Sequence, residues 1–212
     1  MNNRIKEITA VFESVFGDAE GLRYFAAPGR VNLIGEHIDY CGGYVFPAAL
    51  TLDTLVAARP NGTRKLRMAA TTLDGLYEAD LDNIDEAQKL SWGNYQAGVA
   101  KELMSDGCEL GGLDMVYMVT VPFGSGLSSS ASIELATGIA FSTIFNCGKT
   151  NIELALIGQR AENKFCGVNC GIMDQFASAM GKKDHAIMLN CATLEYKYVP
   201  VSLGDNLLIL AN

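Results

Sequence analysis

Histidine is nearly missing from this chain: His37 and His185 are the only two in 212 residues. A zinc centre draws its ligands mainly from histidine and paired cysteine. The six cysteines, at 41, 108, 147, 166, 170 and 191, contain no CxxC pair, and Cys166 and Cys170 are separated by three residues. That spacing is loose for a metal, so the pattern speaks for free thiols in a reducing cytoplasm. Positive charge is also short. Sixteen Lys and Arg face 24 Asp and Glu, a net charge of −8, which argues against a nucleic-acid partner. It does not exclude a phosphorylated ligand, because local cations, backbone amides and Mg²⁺ offset phosphate charge. No uninterrupted apolar run reaches the roughly 18 residues of a membrane span. The N-terminal MNNRIKEITAVFESVFG has no apolar stretch of the kind a signal peptide carries. Repeats, low-complexity tracts and charge runs that would mark a domain break are missing too.

What the chain does have is apolar material. Hydrophobic residues make up 49% and charged residues 19%, enough for a core in one large or two small domains. Residues 4–16 carry helical apolar spacing with Gly17 as a stop. From Leu22 to about Thr72 the pattern turns to short β-branched and aromatic segments: LRYFAAP, VNLIG, YVFPAAL, TLDTLVAARP and KLRMAATT. These read as strands, with a hairpin turn at residues 59–62 and LYEADL as one more strand. Trp92–Met104 reads as a helix with Ser91 as a candidate N-cap. LDMVYMVTVP is a strong strand. Helices follow over about 128–145, 151–165 and MDQFASAMG, and HAIMLNCA, EYKYVPV and NLLILAN close the chain as strands. The order is not a βαβα alternation, so the expectation is an α+β fold, a mixed sheet with helices packed on it, and not a doubly wound sheet. The final apolar run is either a last strand docked in a sheet or the mark of a fragment.

Three stretches carry chemistry. GRVNLIGEHIDYCGGY places Arg30, Glu36, His37 and Asp39 within ten positions of otherwise core-like sequence, a density that suits the grip of a small polar molecule. In VPFGSGLSSSASIELATG a strand runs through Gly124, Ser125, Gly126, Leu127, Ser128, Ser129 and Ser130 into a helix. Glycines admit an anion close to backbone N–H groups, and the helix N-terminus adds donors and positive charge. The loop is neither a Walker A motif nor a dinucleotide fingerprint, since position 129 is Ser; Cys147-Gly-Lys-Thr150 lacks the first glycine of a Walker A. Taken alone, such a loop is also what an ordinary capped turn looks like. In GQRAENKFCGVNCGIMDQFASAMG, Glu162 reads as a solvated helix acid. Asp174 is either a dipole partner of a helix start or a functional carboxylate. His37 is open to a supporting role in the loop. Tyr40 and Tyr44 read as packing residues. Trp92 is a core residue or a neighbour of an adenine. His185 is given no role.

Together, in this order, the three stretches resemble the galactokinases of the GHMP small-molecule kinase family, from about residue 20 to the end. The resemblance implies a sugar site with Glu36, His37 and Asp39 on the hydroxyls and Gly171 admitting the backbone close to the sugar. It implies Asp174 as catalytic base with Arg30 beside it. Residues 124–130 would wrap the phosphates of ATP as co-substrate, and Ser130 and Glu162 would hold Mg²⁺. The implied reaction moves the ATP γ-phosphate to the anomeric 1-hydroxyl of galactose and gives α-galactose 1-phosphate in the cytoplasm. Two other functions are compatible: a related kinase of N-acetylgalactosamine, and a non-catalytic galactose and ATP sensor. The family's enzymes are nearly twice as long. Residues 1–212 are therefore expected to form an N-terminal ATP- and sugar-binding domain, inactive alone, whose site a missing C-terminal domain completes.

Overall fold

The computed structural model describes residues 3–210. Its centre is a five-stranded sheet in the order β1 (Arg23–Asn32), β3 (Pro47–Pro60), β6 (Leu113–Val119), β4 (Lys65–Ala70), β5 (Leu73–Asp80). Neighbours run antiparallel except β4 and β6, which are parallel, so the sheet is mixed. Helices α2 (Gly93–Ser105), α3 (Ser129–Ile144) and α4 (Asn151–Arg160) lie on one face and α1 (Asn3–Phe16) on the other. Side chains of a strand alternate between faces. On β3, Val56 and Ala58 join the large core under α2 and α3, while Leu55 and Ala57 pack with Ile8 and Phe12 of α1. β6 divides in the same way, Met115 and Tyr117 against Val116 and Met118. A strand covered on both faces has no polar side, which is why LDMVYMV reads as apolar apart from Asp114.

A second sheet, β2 (Tyr44–Val45), β7 (His185–Asn190) and β8 (Tyr196–Pro200), packs with α5 (Met173–Met180) around Phe176 and Ile187. Among the described residues, no helix is long and apolar enough to cross a membrane. All six cysteines are free thiols.

The structure departs from the sequence-based expectation in four places. Residues 59–62 do not make a hairpin, because β6 lies between β3 and β4. Asp114 holds both flanks of β6: its buried carboxylate accepts from Arg67 Nε and Nη2 at 2.7 Å each and from Asn61 Nδ2 at 2.9 Å. Ser91 does not cap α2. The helix starts behind Trp92, whose ring sits edge-on to Tyr77 and Tyr117 at 5.4 and 5.6 Å, so aromatic packing sets the start. The helix expected over 151–165 is regular only to Arg160 and widens into a π turn over Ala161–Phe165. Finally, 207–210 forms no strand: Leu207 and Ile209 are 87% and 84% exposed, with no neighbour strand to cover them. The last two residues of that segment, 211 and 212, lie outside the described residues.

Candidate active site

β1 breaks its ladder where the site begins. Pro28 pairs with Asp53 but Arg30 pairs with Ala49, so Gly29 alone faces a bulge of three β3 residues, Leu50, Thr51 and Leu52. Two other elements fasten there. Ser178 of α5 donates its hydroxyl to the Pro28 carbonyl at 2.6 Å. The Arg30 backbone N–H donates to the Leu127 carbonyl in the Gly/Ser loop at 3.1 Å. Gly29 is needed for space, since a Cβ there would stand 2.6 Å from that carbonyl oxygen.

Fixed by these contacts, Arg30 and Asp174 face each other across the loop. Arg30 Nε and Nη2 donate to Asp174 Oδ1 at 2.9 and 2.7 Å, and Nη1 donates to the Gly126 carbonyl at 2.5 Å. Ser128 donates its hydroxyl to Asp174 Oδ2. Ser128 stands at the N-cap position of α3 but caps nothing; its backbone is left-handed, φ 59°, and its side chain is turned to Asp174. Backbone strain of this kind is held in place only where surrounding contacts over-determine it. Asp174 is not an N-cap either, since it lies in the first turn of α5 behind Ile172. Together Arg30, Asp174 and residues 124–130 line one open concavity of about 230 Å³. Left-handed backbone at Gly124, Gly126 and Ser128 is a conformation from which anion-binding nests are made.

Glu162 proves to be buried and not a solvated helix acid: it is 7% exposed. The π turn swings it inward, and widened turns of this sort recur at functional positions. Burial raises its pKa, a hydrogen bond from Ser130 works in the opposite direction, and the nearby Asp174 charge raises it further. Ser130 thus lies close enough to Glu162 to act on its carboxyl. Both offer oxygen, the donor type Mg²⁺ takes, so the residues fit that ion. Two residues were not found by sequence reasoning. Glu134 of α3 is 1% exposed, and burial, followed by the Glu162 charge, holds its carboxyl well above the usual range. Gln175, fully buried, donates from Nε2 to Glu134 at 3.0 Å and to Glu162 at 2.7 Å. Glu134 lies inside the apolar SIELATG of α3, and an acid within such a run was the available signal.

The opening stretch folds as a loop between β1 and β2. Asp39 begins a short 3₁₀ turn, Asp39–Cys41, and its carboxylate lies against Gly171, where any Cβ would collide with it. Gly171 is three residues before Asp174, so the loop meets the start of α5. Glu36 accepts from Asn32 Nδ2 at 2.8 Å. His37 is exposed, with left-handed backbone at φ 58° and its ring 6.2 Å from that of Tyr40. Tyr40 and Tyr44 are each 61% exposed and are not packing residues. Trp92 is core, 9% exposed, yet it also lines an apolar hollow of about 240 Å³ with Tyr117, Ile133 and Phe123, next to the Gly/Ser loop. A larger hollow, about 1180 Å³, lies elsewhere, between β3 and the segment after β8. His185 donates from Nδ1 to the nearby Lys183 carbonyl at 2.7 Å.

Comparison with known proteins converges on one family. Residues 10–60 match the galactokinase galactose-binding signature, and residues 94–182 match the GHMP kinase N-terminal domain. A galactokinase of Clostridium tetani is 49% identical over 212 residues, covering all of this chain and 54% of that protein. A galactokinase of Bacillus subtilis is 47% identical over 210 residues, 98% of this chain and 54% of that one. The crystal structure of Lactococcus lactis galactokinase complexed with galactose superimposes with a TM-score of 0.92 at 42% identity, covering 95% of this chain and 53% of that chain. Methanococcus jannaschii mevalonate kinase shares the fold, with a TM-score of 0.68 at 18% identity. The chain spans about half the length of the curated relatives it matches. With Arg30 and the Asp39 loop inside the first matched segment and the Gly/Ser loop and Asp174 inside the second, the chain belongs to the GHMP kinase family and carries the galactokinase signature.

Proposed function

We propose that this chain is the galactose- and ATP-binding half of a galactokinase, which transfers the γ-phosphate of ATP to the anomeric hydroxyl of galactose. The observation that carries the reading is the Arg30–Asp174 pair seated in the concavity of the Gly/Ser loop. It places a carboxylate, a guanidinium and an anion-binding backbone within one small volume. Glu36, His37 and Asp39 hold the sugar hydroxyls, and Gly171 leaves room for them. A site built on polar pairing rejects an analogue that leaves a buried group unpaired. Asp174 accepts the proton of the 1-hydroxyl as that oxygen bonds to the γ-phosphorus and the bond to the bridging oxygen of ADP breaks. Arg30 balances the charge on Asp174 and on the transferring phosphoryl group. Residues 124–130 wrap the phosphates, and the hollow beside Trp92 takes the adenine. Ser130 and Glu162 would hold Mg²⁺, which when bound neutralises phosphate charge.

Because the chain spans about half of its relatives, turnover is assigned to the two-domain whole. A half-cleft open to water neither orients both substrates nor excludes solvent, so this chain alone is expected to bind and not to turn over. The free thiols suit a cytoplasmic enzyme. The test is a chimera that joins this chain to the C-terminal half of the Clostridium tetani relative. Incubated with galactose, ATP and Mg²⁺, it should form α-galactose 1-phosphate, read by ³¹P NMR. Asp174→Asn should lower the rate by about 10²–10⁴-fold, the range of a positioned general base. A silent, folded chimera, or one that prefers N-acetylgalactosamine, contradicts the reading.

A further inference from the structure

Gln175 follows Asp174 on α5 and is fully buried, yet nothing in the proposed transfer uses it. Its side-chain nitrogen lies between two carboxylates from different elements, Glu134 on α3 at 3.0 Å and Glu162 in the π turn at 2.7 Å. An amide nitrogen carries two hydrogens, so it serves both acceptors at once. Turned over, the amide would aim its oxygen at both of them. Gly158 on α4 makes the bridge possible. A Cβ there would stand 3.1 Å from Gln175 Cγ and 3.2 Å from Glu134 Oε2. Cys170 closes the remaining side, its sulfur 3.7 Å from Glu162 Oε2 and 3.8 Å from Gln175 Nε2.

Stability alone does not account for this cluster. Glu134 Oε1 and Gln175 Oε1 are buried without a protein hydrogen-bond partner, and buried polar atoms of that kind are costly. Replacing such a cluster by well-packed apolar side chains is often neutral or stabilising. What the cluster does achieve is to fix Glu162. The carboxylate is held by Gln175 and Cys170 inside, with the Ser130 hydroxyl near enough on the site side to lower its pKa.

We propose that Gln175 is a positioning residue: by tying Glu162 to Glu134, it holds the Glu162 carboxylate against Ser130 in the orientation of an oxygen ligand. The base Asp174 and this bridge share one turn of α5, so one helix sets both. The proposal rests on the reading of Ser130 and Glu162 as Mg²⁺ ligands, and three measurements separate the two. In the wild-type chain, with Gln175 assigned by triple-resonance NMR, its two side-chain amide protons should exchange on the order of a hundredfold more slowly than those of exposed glutamines. Exchange at the exposed rate overturns the bridge without any variant. In a crystal structure of Gln175→Met, the Glu162 carboxylate should leave Ser130; an unmoved Glu162 overturns the positioning role. Water-proton relaxation with Mn²⁺ and a non-hydrolysable ATP analogue should show Gln175→Met binding the metal about 10–100-fold more weakly, the usual cost of losing a partner behind a ligand. Metal-free nucleotide affinity should stay unchanged, which a merely structural defect would not leave intact. Wild-type Mn²⁺ affinity in that variant overturns the proposal. If the wild type takes up no Mn²⁺ while Glu162 swings away in the variant, the metal reading fails and the positioning role stands.

Discussion

Gly29 shows how much of the site depends on one missing side chain. Where the β1–β3 register shifts, its Cα lies close under the Leu127 carbonyl, and the contact there seats the Gly/Ser loop beside Arg30. Gly29→Ala should push the loop outward, at about 1–3 kcal/mol of overpacking strain. Calorimetric unfolding should show a lowered Tm, and titration should show weakened ATP affinity with galactose affinity kept. A variant that matches the wild type in both Tm and ATP affinity would mean that the loop is not held there. At this scale the sequence was legible where a residue belongs to a motif: Arg30 and Asp174, both singled out in the motifs, meet in an ion pair, and Asp39 lies against Gly171. It was not legible where a residue acts through a distant partner. Ser128 meets Asp174 across 46 positions, and Gln175 meets Glu134 across 41. No local pattern records either pair.

Helix α4 carries its start in plain view and hides its end. Thr150 accepts from the Glu153 N–H at 3.3 Å, and Glu153 accepts from the Thr150 N–H at 2.7 Å, a reciprocal capping box. Thr150→Ala should cost about 1 kcal/mol of stability in urea unfolding. The Thr150 hydroxyl, then its backbone N–H, lower the Glu153 pKa below 4.5. A lowered acid stabilises above its unfolded pKa and loses that contribution as pH falls through the folded value. Glu153→Gln should therefore be less stable than the wild type at neutral pH, with the gap closing below about pH 4. A gap that widens on acidification would contradict the assignment. The far end of α4 follows different rules. Continued helical spacing across 161–165 conceals the π turn, because its widening is set by what surrounds it: Glu162 turned toward Gln175 and Ser130, Phe165 toward the core. The same reason explains why Glu162 looked solvated when read alone.

For the whole molecule, fold class followed from element order, and strand order did not. A strand after Pro60 and a strand before it look like a hairpin in sequence; Asp114 shows that a third strand separates them, anchored to Arg67 and Asn61 by its buried charge. The exposed Leu207 and Ile209 mark the other limit, since an apolar run becomes a strand only where an edge accepts it. The architecture brings β1, α3, α5 and the Asp39 loop to one side, and under the proposed function this side recognises galactose by itself. The deciding experiment is isothermal titration of the chain with galactose, with and without a non-hydrolysable ATP analogue and Mg²⁺. Saturable one-to-one binding that is lost in Asp39→Ala is the predicted result. No galactose binding under either condition, or unchanged binding in Asp39→Ala, would contradict it.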